Sequence, residues 1–129
     1  MRLYSTRGEA PPVTMSQAIR NGAAPDGGLY MPQDLPCAAP APGERLPQTA
    51  YRLIAPFFDG DPLAHAVEAM CEEALDLDLP LVRPDPDQPR LFALELFHGP
   101  TGAFKDFGAR FLAAALSRLS EASGERLTV

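Results

Sequence analysis

The sequence predicts an α/β fold, with an α-rich N-terminal region followed by the first strand and helix of a parallel sheet. Its 129 residues are 46% hydrophobic and 22% charged, which is typical of about one globular domain. Apolar residues in 63–74 repeat at helical spacing, and residues 91–129 read as strand, glycine loop, helix and incipient strand. Because this βαβ unit does not close, we expect an N-terminal piece of a longer, truncated chain.

Charge and hydropathy exclude several classes of protein. The formal net charge is −6, so the chain lacks the positive field that attracts a nucleic acid backbone. No apolar run approaches the ~20 residues of a membrane span, and the first seven residues lack a secretory apolar stretch. We expect a cytoplasmic protein with no nucleic acid partner and no membrane partner.

The cysteines and histidines do not form a metal-binding pattern. Cys37 and Cys71 lie far apart, and neither His65 nor His98 follows them at a zinc-site interval. We predict neither a structural metal site nor a disulfide framework.

Local signals mark the elements of the first 47 residues. Residues 14–17 (Thr-Met-Ser-Gln) have the form of a capping box, and Gly22 follows as a stop, which predicts a short helix. A Pro-Asp-Gly-Gly turn at 25–28 precedes a short apolar segment at 29–31. Five prolines between positions 32 and 47 predict a loop or connector.

The next segment predicts helices. Residues 51–58 are apolar and can be helical despite Pro56, and Asp61-Pro62 is typical of an N-cap followed by proline at the first helical position. The apolar stripe of the following helix consists of Leu63, Ala66, Val67, Met70 and Ala74. Seven acidic residues and no lysine or arginine occur in 59–78, which predicts a solvated acidic face.

The last third of the chain holds the predicted strand and helix. A second proline-rich connector spans 80–89, and residues 91–97 (Leu-Phe-Ala-Leu-Glu-Leu-Phe) predict a buried strand. A helix ending near Gly124 follows, and residues 126–129 predict a new strand. One face of the helix consists of Phe104, Phe107, Gly108, Phe111, Ala115 and Leu119.

Lys105 is the only lysine among 11 basic residues. In a chain that otherwise uses arginine, a retained lysine indicates a position where a guanidinium cannot substitute. An amine can lose its proton and attack a carbonyl, whereas a guanidinium stays charged and is a poor nucleophile. Lys105 is therefore a candidate catalytic residue, and the alternative is that one lysine remains by chance in an arginine-biased composition.

The loop from 98 to 105 allows three interpretations. It does not match a phosphate-binding Walker loop, because Phe104 precedes the lysine and Asp106 follows it. As plain structure, its glycines allow a tight turn, Thr101 caps the helix, and Asp106 favours the positive helix end. As a cofactor site, the helix start and the flanking Phe104 and Phe107 would lower the pKa of Lys105 toward the neutral nucleophile.

The loop and several other segments resemble the threonine synthase family. Residues 94–108 (Leu-Glu-Leu-Phe-His-Gly-Pro-Thr-Gly-Ala-Phe-Lys-Asp-Phe-Gly) are similar to that family's lysine segment. Residues 4–8, 24–32 and 56–58 resemble its N-terminal region, so the resemblance covers nearly the whole chain in order. Gly102 stands where many members have a larger apolar residue, commonly leucine.

The resemblance implies a fold of the tryptophan-synthase β type and an activity that depends on pyridoxal 5'-phosphate. Members convert O-phospho-L-homoserine and water into L-threonine and phosphate. Lys105 would bind the cofactor covalently and shuttle protons, and His98 and Thr101 would line the substrate-phosphate pocket. Residues 1–78 would form an N-terminal accessory domain, and residues 79–129 would begin the cofactor-binding α/β domain of a truncated chain. The other cofactor contacts come from later segments, so the fragment alone is expected to be inactive.

Two alternatives remain open. A threonine synthase-like phospho-lyase would share the lysine loop and release a 2-oxo acid with ammonia instead of threonine. A non-catalytic binding or interaction module would keep the same loop only as a turn. An apolar helix face on a half-formed sheet argues against an isolated module and makes an oligomer possible.

Overall fold

The computed structural model describes residues 1–124, which form four α-helices and two pairs of short strands. In chain order these are β1 (Leu3–Ser5), α1 (Met15–Asn21), β2 (Tyr30–Pro32), α2 (Leu46–Ile54), α3 (Val67–Leu75), β3 (Leu81–Val82), β4 (Ala93–Leu94) and α4 (Lys105–Ser123). Two short 3₁₀ helices lie at Ala55–Phe58 and Ala64–Ala66. The mixed α/β class predicted from the sequence is confirmed.

One hydrophobic core joins α2, α3 and α4. All five apolar positions predicted for the stripe in 63–74 are buried, so that prediction is confirmed. Ala114, Ala115 and Leu119 of α4 belong to the same core. The full set of buried core residues is Ala50, Phe58, Leu63, Val67, Met70, Cys71, Ala74, Leu75, Ala114, Ala115 and Leu119. The helix that follows the lysine loop is therefore packed directly on the α-rich region.

Local signals placed α1 correctly. The Thr14 side chain accepts from the backbone N–H of Gln17, whose side chain accepts from Thr14 N–H at 2.9 Å, which completes the capping box. The helix ends at Asn21, and Gly22 follows with a φ of 72°. The prediction of a short helix with a glycine stop is confirmed.

The loop predicted up to residue 47 ends earlier, because α2 begins at Leu46. Pro47 occupies the first turn, where proline replaces an N–H that would have no helical partner. Arg45, just before the helix, donates to Glu72 of α3 at 2.9 Å. That ion pair and the packing of Leu46 against the core are long-range contacts that no local pattern reveals. Residues 55–58 continue as a 3₁₀ turn rather than as α-helix.

Asp61 does not begin an α-helix as predicted, and α3 starts six residues later at Val67. Its carboxylate is 7% exposed and accepts the N–H of Leu63 and the N–H of Ser16, both at 2.8 Å, and the Ser16 hydroxyl. Asp61 thereby accepts a hydrogen bond from a backbone N–H in the first turn of α1 that has no partner within the helix, although the two residues are 45 positions apart. The other six acids of 59–78 are exposed, so the solvated acidic face is confirmed except at Asp61.

We expect Asp61→Asn to weaken the pH dependence of the free energy of unfolding in the acid range. Burial raises the pKa of the Asp61 carboxyl, but the hydrogen bonds from Ser16 and Leu63 outweigh it, and the pKa lies below its ordinary 3.8. The stabilisation by the charged carboxylate is thus complete above pH 3.8 and is lost as the pH falls through the folded-state pKa. Urea unfolding from pH 6 to pH 2.5 should show wild type and variant converging at the acid end.

The exposed Asp78→Asn variant is the matched control, and it should change the free energy of unfolding by less than about 0.5 kcal/mol. A difference between wild type and Asp61→Asn that stays constant over the whole pH range would contradict the assignment.

The segment 91–97 is not a buried strand. Only Ala93 and Leu94 are in strand conformation, and they pair antiparallel with Val82 and Leu81 inside the predicted 80–89 connector. The side chains of a strand are buried only where another layer of structure packs on the face of its sheet, and within residues 1–124 β4 forms only a two-stranded sheet with β3. The large side chains of the segment therefore remain exposed, namely Leu91, Phe92, Leu94 and Phe97.

The second strand pair lies at the N-terminal end. Strand β1 pairs antiparallel with β2, so the apolar segment at 29–31 contributes to a strand. Both strand pairs of residues 1–124 are antiparallel, and the strand predicted at 126–129 lies outside the described residues. Helix α4 ends with Gly124 at a φ of 69°, as its glycine stop predicted. No helix within residues 1–124 combines the length and the apolar character needed to cross a membrane.

Candidate functional site

Lys105 is the first residue of α4 and is exposed. Within residues 1–124 its amine has no ion pair and no hydrogen bond. The predicted desolvation by flanking phenylalanines is wrong, because Phe104 is 68% exposed and Lys105 itself is exposed. Phe107 packs partly against the core, with its ring 6.2 Å from that of Phe104. The structure presents Lys105 as an accessible amine on a firmly packed helix.

The start of α4 is held by Asp106 rather than by an N-cap side chain. Phe104 occupies the N-cap position without a side-chain hydrogen bond, so Thr101 is not the cap that the sequence predicted. Thr101 instead donates its backbone N–H to Asp106 Oδ2 at 2.9 Å and its hydroxyl to Oδ1 at 2.7 Å. The Asp106 side chain is buried, and the hydrogen bonds from Thr101 hold its pKa below the ordinary value.

Two glycines shape the loop for different reasons. A Cβ on Gly99 would lie 2.8 Å from Cβ and 2.9 Å from Cγ of Asp106, so only glycine fits against this carboxylate. Gly102 has a φ of 68°, a left-handed conformation that other residues adopt at a cost. Its N–H closes the turn by donating to the Gly99 carbonyl at 3.0 Å. The conformation of the turn from Gly99 to Gly102 and the position of the Asp106 carboxylate therefore depend on each other.

His98 lies at the entrance of the same loop. Its Nε2 is 2.7 Å from Glu95 Oε2, and its ring stacks on Phe97 with the centroids 4.8 Å apart. A carboxylate at one ring nitrogen orients the imidazole and leaves Nδ1 as the nitrogen that can meet another group. Glu95 is thus a residue of the site that sequence reasoning missed, although it stands three positions before the histidine.

The candidate residues predicted from the sequence meet in one loop, but in different states. Lys105 has a free amine, His98 has one nitrogen engaged, and both donors of Thr101 are already bound to Asp106. Thr101 can therefore donate to a phosphate only by releasing Asp106.

A second carboxylate centre organises the N-terminal strand pair. Asp26 accepts from the Ser5 hydroxyl at 2.7 Å and from the backbone N–H groups of Gly28, Glu9 and Ala10 at 2.9–3.1 Å. These hydrogen bonds, led by that from Ser5, hold the pKa of Asp26 below its ordinary value. The sequence predicts only a turn at this position. The available signal was a turn aspartate beside two glycines, since such a side chain commonly binds nearby backbone.

The lysine loop fits a cofactor that is tethered through an aldehyde. The amine of Lys105 is exposed and is not held by a carboxylate of residues 1–124, so it can reach and attack a carbonyl carbon. An arginine at this position could not do so.

The fold as a whole matches the N-terminal region of a class of α/β enzymes, several of which have solved structures. The threonine synthase of Brucella melitensis, described as PLP bound, superposes with a TM-score of 0.84 at 39% identity, covering 98% of this chain and 29% of that one. For the threonine synthase of Escherichia coli the TM-score is 0.79 at 30% identity, covering 93% and 28%. The threonine synthase of Haemophilus influenzae is 36% identical over 125 residues, covering 91% of this chain and 28% of the relative.

A family model described as the threonine synthase N terminus matches residues 2–75. The chain belongs to the threonine synthase family. It spans slightly less than a third of the length of its relatives, between 28% and 29% of those just described.

Proposed function

We propose that the chain is the N-terminal part of a pyridoxal 5'-phosphate-dependent threonine synthase. The protein would convert O-phospho-L-homoserine and water into L-threonine and phosphate, as a carbon–oxygen lyase of threonine biosynthesis in the cytoplasm. The observation that supports this proposal most directly is the accessible amine of Lys105, the only lysine of the chain, at the start of α4 in a threonine synthase fold.

Lys105 is proposed as both the cofactor-binding and the catalytic residue. When bound, the cofactor supplies an electron sink for the negative charge that develops on the substrate carbon. Lys105 would tether the cofactor covalently, and its amine would move protons to and from the substrate carbons. Its exposed position leaves the amine accessible for both roles.

His98 and Thr101 are proposed to line the substrate-phosphate pocket. Glu95 binds Nε2 of His98, so Nδ1 is the ring nitrogen that can contact a ligand. Nδ1 can donate to a phosphate oxygen when protonated. Thr101 would take part through its hydroxyl only if the hydrogen bond to Asp106 opened.

The domain organisation follows the same proposal. Residues 1–78 form an accessory domain, and residues 79–129 begin the cofactor domain. Because the chain spans 28% to 29% of its relatives, the remaining cofactor contacts would come from residues outside these 129, and this fragment alone would be inactive. An oligomeric full-length protein is compatible with this organisation.

The test is to map the cofactor attachment in the longest natural product of the gene, called the full-length protein below. Borohydride reduction converts the lysine–cofactor linkage into a stable secondary amine, which peptide mass analysis locates. We expect a pyridoxyl label on Lys105. A folded full-length protein without label on Lys105 would refute the cofactor role and favour the loop as a plain turn.

Product analysis separates the two enzymatic alternatives. Unreduced full-length protein that binds the cofactor, incubated with O-phospho-L-homoserine, should yield threonine and phosphate in equal amounts. A 2-oxo acid with ammonia in place of threonine would identify a phospho-lyase.

A further inference from the structure

We propose that Asp106 is a positioning residue for Lys105, acting through a lock that consists of Asp106, Thr101 and Gly99. This inference rests on the proposed cofactor role of Lys105. The lock would hold the first turn of α4 and the preceding loop in one conformation, so that the amine of Lys105 meets the cofactor aldehyde in a fixed place.

No contact of its own side chain holds Lys105 in position within residues 1–124. Its amine has no polar partner within residues 1–124, and the N-cap residue Phe104 provides no side-chain hydrogen bond. A lysine side chain has four rotatable bonds, so the place of its amine depends on how firmly its backbone is held. The group that holds this backbone belongs to the next residue, Asp106.

Asp106 makes more hydrogen bonds than an ordinary acid at a helix start. An acid in a first turn interacts favourably with the helix dipole while it is exposed. Asp106 is instead 6% exposed, and each of its oxygens receives one of the two donors of Thr101. Charge-assisted hydrogen bonds of this kind are about twice as strong as neutral ones.

Gly99 and Arg110 restrict the position of the lock from two sides. Gly99 lies so close to Asp106 that a Cβ would come within 2.8 Å of the Asp106 Cβ. One turn later, Arg110 donates to the carbonyls of Ala74 at 2.7 Å and Glu73 at 2.8 Å, at the C-terminal end of α3. Arg110 also lowers the pKa of Asp106 through its charge, after the larger effect of Thr101. The loop is thus tied through α4 to the hydrophobic core.

The experiment measures cofactor capture by the full-length apoprotein. Pyridoxal phosphate is added to wild type, Asp106→Asn, Thr101→Val and Thr101→Ser, and the rate of labelling at Lys105 is followed together with the visible circular dichroism of the bound cofactor. We expect Asp106→Asn and Thr101→Val to capture it about tenfold or more slowly, since small misplacement of a reacting group is costly. Thr101→Ser keeps the hydroxyl that donates to Asp106 and should therefore capture the cofactor faster than Thr101→Val.

Asp61→Asn is the matched control for a merely structural effect. Asp61 is also a buried carboxylate that binds a hydroxyl and two N–H groups, but it joins α1 to the segment before α3. We expect this variant to be destabilised in urea while it captures the cofactor at the wild-type rate with an unchanged visible dichroism. Gly99→Ala, which crowds Asp106 without removing a polar group, should share the defect of Asp106→Asn.

The outcomes separate this inference from the proposed function. Labelling of Lys105 at equal rates in wild type, Asp106→Asn and Thr101→Val would overturn the positioning role and leave the cofactor role intact. Equal slowing in Asp61→Asn and Asp106→Asn would also overturn it, because general loss of stability would then explain both. No labelling of Lys105 in wild type would refute the proposed function itself.

Discussion

Replacement of Lys105 by alanine in the full-length protein should abolish the pyridoxyl label and lower phosphate release from O-phospho-L-homoserine by about 10²-fold to 10⁴-fold, the usual contribution of a positioned proton-transfer group. The physical reason is that alanine removes both the tether and the amine that moves protons. Phosphate release is measured under saturating cofactor, and the label is mapped on the same samples. The fold should be retained, because Lys105 is exposed and outside the core.

Lys105→Arg is the matched variant that keeps the positive charge. Its guanidinium cannot act as a nucleophile at neutral pH, so it should be as inactive as Lys105→Ala. A small primary amine added to Lys105→Ala should restore part of the phosphate release, since the position is open to solvent. Full activity in Lys105→Arg would show that the charge of Lys105 matters rather than its chemistry.

Phe58→Ala should lower the free energy of unfolding by about 3–5 kcal/mol, the usual cost of truncating a buried aromatic residue. Phe58 is 1% exposed in the core, and its ring meets that of Phe111 edge to face with the centroids 6.5 Å apart. Truncation leaves a cavity between the 3₁₀ turn that carries Phe58 and α4, and the helix cannot close it without moving. Urea unfolding monitored by circular dichroism measures the loss.

Phe97→Ala is the control, because the Phe97 side chain is 55% exposed and lies outside the core. We expect this change to cost less than about 1 kcal/mol in the isolated chain, in line with substitutions at exposed positions. Comparable losses for Phe58→Ala and Phe97→Ala would contradict the core described above.

Elements with a local cause were predictable. The capping box from Thr14 to Gln17 and the stop at Gly22 act within one turn, so the sequence places α1 correctly. The apolar repeat in 63–74 predicts a buried face, although the α-helix itself begins only at Val67. Periodicity reports which residues face a core, whereas the exact helix start depends on groups elsewhere in the chain.

Elements with a remote cause were not predictable. The segment 91–97 contributes to a two-stranded sheet, and the exposure of its side chains depends on what the rest of the chain packs on that sheet. The apolar run 91–97 has the composition of a buried strand, but composition does not state whether a second strand lies beside it.

The sequence by itself determined the family-like segments, the apolar face of the core helix and the uniqueness of Lys105, because residue identity and spacing are enough for each. Only the tertiary structure decided what the acidic residues do. Asp61 and Asp106 look like ordinary helix-start acids, yet each is buried around a hydroxyl and backbone N–H groups. The reason is that desolvation and hydrogen bonding depend on which groups the fold brings within 3 Å, and for Asp61 that partner is 45 residues away.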